Sequence, residues 1–143
     1  MSNVIEELKE EADNIYRNLD SAIRCNETDK VKEIIEIIKS PELQKYPKIF
    51  NLNNPIGSHF IGNDYAITIA AEHSNNEILK LLIDNGADLN LTNHWDKNAF
   101  AIIVERREFG TKEEEKEFRT QKVAIIKTIL EAGYNIETKD KFG

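Results

Sequence analysis

The sequence predicts an all-α chain of repeated helical pairs, and three observations predict it. Residues 76–86 carry a short amphipathic signal: Ile78, Leu79, Leu81, Leu82 and Ile83 form an apolar stripe, Glu77, Lys80 and Asp84 fall on the other side, and Gly86 closes the helix. The same block returns over 123–137 when Gly133 is set on Gly86. A weaker copy lies upstream, with 19–23 standing for a first helix and 31–38 for a second. Internal recurrence of helical pairs is the mark of a stacked repeat array, because one pair cannot bury its own apolar face.

Taken in order, Val4, Ile5, Leu8, Ala12, Ile15, Tyr16 and Leu19 recur at helical spacing, with Asn3 and Glu6 placed like a capping box. This predicts a capping helix over 3–18. A degenerate first repeat follows over 19–53, and it carries an insertion. Ser40-Pro41, Tyr46-Pro47 and the Asn- and Pro-rich run 51–57 signal turns and an irregular connection on the hairpin side. A further repeat spans 60–92. Another spans 93–137, its first helix at 98–104 and its second helix delayed. The segment between them, near 106–121, mixes Arg106, Arg107, Lys112, Lys116, Arg119 and Lys122 with Glu108, Glu113, Glu114, Glu115 and Glu117. Such mixed signs suit a solvated helical extension with i,i+4 pairs, and a partner contact is the other reading. The run 138–143 matches 91–96 position for position and reads as the start of a truncated repeat.

Ala70 and Ala71, then a gap, then 77–82, then Gly86-Ala87-Asp88-Leu89-Asn90 in register resemble one ankyrin repeat. The family's period near 33 residues places Ala70 on Ile103 and Tyr65 on Asn98, and leaves about 14 extra residues before Gly133. The resemblance implies an ankyrin-repeat α-solenoid of about three repeats plus an N-terminal capping helix, organised as a single domain over 1–143. The family's usual Thr-Pro-Leu-His opening is replaced by 65–68 and 98–101. Loss of the pre-organised proline and of the bonds between hairpins predicts weak coupling between repeats and a marginally stable array, with Thr68 keeping a fraction of that bonding.

Similarity to this family also implies a binding surface for a protein partner, formed by the hairpin tips and the first-helix face. The candidate contact residues are His59 and Phe60 at one tip, Asn93, His94, Trp95 and Asp96 at the next, and Lys141 and Phe142 at the last, with Glu72 and His73 at the end of a first helix as weaker candidates. Trp95 and Phe142 share one repeat position. Either the rings form an aromatic ladder that anchors a partner, or they pack on the neighbouring hairpin and serve stability.

Other classes are poorly supported. A net charge of −7 argues against nucleic acid. No apolar run approaches a membrane span and the acidic N-terminus lacks a secretory pattern, which predicts a cytosolic chain without membrane contact. His59, His73 and His94 lack metal-ligand spacing, and no phosphate-binding loop or nucleophile motif is present, so no metal, no cofactor and no catalysis are expected. The single cysteine, Cys25, is expected to be buried. The chain is read as a monomer, with a dimer conceivable through a C-terminal face exposing Ile129, Ile136 and Phe142. An adaptor role for a larger enzyme or effector, with catalysis beyond Gly143, is the alternative function. Heavy use of Ile, Lys, Asn and Glu resembles the coding bias of host-associated bacteria that deliver ankyrin effectors into host cells.

Overall fold

The computed structural model describes residues 2–59, 62–73, 75–106 and 110–133, with the side chains at 2, 57–59 and 62–63 outside that description. Six α-helices and one short hairpin occur among the described residues: α1 (Ser2–Arg24), α2 (Thr28–Ile38), β1 (Gly57–His59), β2 (Gly62–Asp64), α3 (Ala66–Glu72), α4 (Asn76–Asp84), α5 (Ala99–Glu105) and α6 (Lys112–Glu131). The strands pair antiparallel with Gly57 opposite Asp64. Helices α1, α3 and α5 pack side by side as one layer, and α2, α4 and α6 as a second behind it. This is the expected all-α stack of helical pairs.

The layers follow from side-chain size. Helix α3 buries Ala66, Ile67, Thr68, Ile69, Ala70 and Ala71 because it has α1, α4 and α5 around it, and small residues let those backbones approach. Helix α4 faces inward with Ile78, Leu79 and Leu82, while Leu81 and Ile83 are half-buried. Gly86 and Gly133 end their helices at φ +95° and +90°, conformations that carry a steric penalty for any residue with a Cβ. Their agreement supports the register between the two blocks. Asn75, Asn98 and Thr111 cap α4, α5 and α6 by accepting the N–H of Ile78, Ala101 and Glu114.

Four expectations need correction. The capping helix and the first helix of the first repeat are one continuous helix, α1, since Ala12, Tyr16, Leu19, Ala22 and Ile23 hold a single apolar phase with no Gly or Pro between them. Asn3 is therefore inside a helix that starts at Ser2, and does not cap it. Cys25 is exposed: it lies two positions beyond buried Ile23, about 200° round the helix, where Asn26 at φ +57° turns the chain. Ile129 is buried with Ile125 on the inward stripe of α6, and among the described residues the large apolar groups left exposed at that end of the stack are Val104, Val123 and Leu130. Ile136 lies outside the described residues.

The delayed second helix of the last repeat is accounted for by length. Helix α5 matches α3 at seven residues, whereas α6 runs for twenty against nine in α4, so most of the added residues lengthen α6. Lys122 Nζ donates to the carbonyls of Val104 (2.8 Å) and Arg106 (3.0 Å), neutralising the negative end of α5. The earlier insertion is irregular, with one 3-10 turn at Leu43–Lys45. It folds around the Tyr16 hydroxyl, which donates to the Ile49 carbonyl and accepts from Asn51 N (2.9 Å) and Asn54 Nδ2 (3.2 Å). Phe50 and Leu52 fill the space beneath.

Candidate functional site

The best-formed tip lies between α4 and α5, and Asn93 builds it. Its side-chain oxygen accepts the backbone N–H of Trp95 (2.9 Å) and of Lys97 (3.1 Å), while its own N–H donates to the Lys97 carbonyl (2.9 Å). Asp96 N–H donates to the Asn93 carbonyl (2.9 Å), and Asp96 adopts φ +59° to reverse the chain. Asn is suited to this because its short side chain mimics a backbone turn. The Asn93 amide also donates to Glu72 Oε1 (3.1 Å) at the end of α3, so the tip is tied to the preceding repeat.

The neighbouring residue is held equally firmly. Asp64, 1% exposed at the end of β2, accepts both the backbone N–H of His94 (3.2 Å) and a contact from its Nδ1 (2.8 Å). A carboxylate removed from water needs such donors, or its desolvation would cost several kcal/mol. Trp95 comes next and points outward at 61% exposure, its ring centroid 4.3 Å from that of His94 with the planes at 46°.

Beside this ring a groove of about 570 Å³ opens between the tip and the first-helix layer. Arg24 of α1, Glu72 of α3, Ile102 and Glu105 of α5, Lys97 and Arg106 share its wall with Asp64, Asn93, His94 and Trp95. Arg24 pairs with Asp20 (2.7 Å), Lys97 with Glu105, and an Arg106 N–H donates to the Glu72 carbonyl. The wall is thus a mixed-charge surface with an indole at its rim.

The structure therefore brings Asn93, His94, Trp95, Asp96 and Glu72 together. It buries Asn93 and most of His94 in bonds within the chain, in contrast to the exposed tip expected for them. His73 falls elsewhere, on a polar depression with Asn26, Asn75 and Thr120 at the helix-turn edge. Burial lowers its pKa below the ordinary 6.5, and nearby Arg24 adds to the effect. Phe60, Lys141, Phe142 and the His59 side chain lie outside the described residues. Sequence reasoning missed Asp64, Arg24 and Lys97, and took Arg106 only as part of the mixed-charge segment. The repeat period offered one signal, since Asp64 and Lys97 hold equivalent positions just before the first helix of successive repeats.

Thr68 also departs from expectation. Its hydroxyl donates to the Tyr65 carbonyl and accepts the Tyr65 N–H, both at 3.0 Å, and so closes its own turn and does not link hairpins. The links between repeats come from other side chains. Asn53 donates to the Gly86 carbonyl (3.1 Å) and accepts Asp88 N–H (2.9 Å), Asn75 donates to Asn26 (3.1 Å), and Asp64 and Glu72 hold the next tip.

Among the described residues no group of His, Cys, Asp and Glu could hold a metal ion, and no helix is long and apolar enough to cross a membrane. Two layers of paired helices joined through hairpin tips define a helical-repeat protein. The sequence model of the Ankyrin repeat family matches residues 63–94, which run from β2 to the start of the described tip, so the chain carries an ankyrin repeat there. Comparison with curated proteins found no match. An ankyrin repeat supports a protein-interaction module as the general function.

Proposed function

We propose that this chain binds a protein partner through the 93–97 tip and the groove beside it, with Trp95 as the anchor. The observation that carries the reading is an indole left 61% exposed on a turn whose neighbours are pinned by buried hydrogen bonds. Scattered exposed apolar side chains are common, but an aromatic on a rigid support binds at low entropic cost and such residues dominate interface energies. The groove adds Ile102 for apolar contact and polar groups at its rim, the usual division of labour in an interface.

The test is an affinity pull-down from cytosol of the source organism, comparing the natural chain with Trp95→Ala after both are shown to melt alike. The expected result is a protein retained by the natural chain and lost by the variant, with an affinity loss of at least about 2 kcal/mol once the partner is purified. Identical recovery by both proteins would refute the role of Trp95.

A further inference from the structure

We infer that Asp64, supplied by the preceding repeat, is a positioning residue that orients Trp95 through His94; the inference rests on the reading of Trp95 as the contact residue. One oxygen of Asp64 accepts from both the backbone and the ring of His94, at 3.2 and 2.8 Å. Two attachment points on one residue fix its backbone and its side-chain rotamer together. Trp95 follows directly, and its own N–H is held from the other side by Asn93. The indole thus extends from a peptide clamped at both ends, with the His94 ring beside it at 4.3 Å.

The clamp reaches across 30 residues of sequence, so the presentation of one tip is decided by the hairpin before it. Asp64 is buried and His94 nearly so, which leaves them little surface to offer a partner. Their effect on binding is exerted by reducing the freedom that Trp95 would lose on association.

Trp95 is the single tryptophan of the chain, so its emission reports on this tip alone. Time-resolved anisotropy of the full chain is expected to follow whole-molecule tumbling. In Asp64→Ala roughly a third or more of the anisotropy should pass to a local ps–ns component, with helical circular dichroism unchanged. Asp64→Asn retains an acceptor oxygen and should keep the slow decay. Natural anisotropy in a folded Asp64→Ala, or equal mobility in both variants, would overturn the inference. Should Asp64→Ala fail to fold, His94→Ala breaks the same contact from the other side and is judged by the same decay.

With the purified partner recovered through Trp95, Asp64→Ala should weaken binding by roughly threefold to tenfold while the indole remains. Unchanged affinity despite a mobile ring would also overturn the inference. If no protein depends on Trp95, the binding proposal fails by itself, and the anisotropy still decides whether Asp64 orients the ring.

Discussion

Replacing Asn93 by alanine tests the architecture of the tip most directly. The side chain is 5% exposed and takes part in three hydrogen bonds: it accepts from Trp95 N and Lys97 N and donates to Glu72. At about 1 kcal/mol net for each bond, with a further penalty for backbone N–H groups left without an acceptor, the loss is about 2–4 kcal/mol. That is a large share of the 5–15 kcal/mol that typically holds a domain together. Urea unfolding followed by circular dichroism and by Trp95 emission measures it, and the denaturant slope should stay constant because the surface exposed on unfolding is unchanged. Asn93→Asp separates the contributions. It keeps the acceptor but sets a carboxylate against Glu72, so its deficit should shrink on acidification as the two groups share a proton. A loss below about 0.5 kcal/mol for Asn93→Ala, the range of ordinary surface changes, would refute the claim that this side chain organises the turn.

Other expected outcomes follow from single features. Gly86→Ala places a Cβ at φ +95° where no atom lies within 4 Å, so the cost is purely conformational, about 1–2 kcal/mol in thermal unfolding. Tyr16→Phe removes the hydroxyl that gathers 49–54, and should cost about 1–3 kcal/mol and speed proteolysis within that loop. The His73 imidazole should titrate by NMR below 6.5. Because its folded pKa is lowered, the unfolded chain binds the proton more readily, and the His73 contribution to stability is complete above pH 6.5 and declines as pH falls through 6.5 towards the folded value.

The helical pairs and their ends were legible because their causes are local. Gly86 and Gly133 sit where a helix must end in a left-handed residue, and the positions of Ile78, Leu79 and Leu82 follow from 3.6-residue periodicity alone. The lengthening of α6 was visible as a run of mixed charges, which favours helix regardless of what packs nearby. The boundary at residue 18 misled because a degenerate repeat was divided by family register, whereas the backbone obeys the unbroken apolar phase from Ala12 to Ile23.

The site was legible only in part. Trp95 could be picked out as an aromatic at a position the resemblance marks as a tip, and its exposure agrees with that position. The inward roles of Asn93 and His94 could not, since they depend on Glu72 and Asp64, 21 and 30 residues away. The absence of the family's usual inter-hairpin residues suggested weak coupling, yet Asn53, Asp64 and Glu72 link successive repeats through partners that only the folded stack brings near them.

By itself the sequence determined that the chain forms stacked helical pairs of the ankyrin type, because periodicity, capping and left-handed glycines act over a few neighbouring residues. Only the tertiary structure decided which polar side chains turn inward to join one repeat to the next and that the Trp95 ring is left facing water. Those outcomes depend on burial, which is a property of the assembled stack.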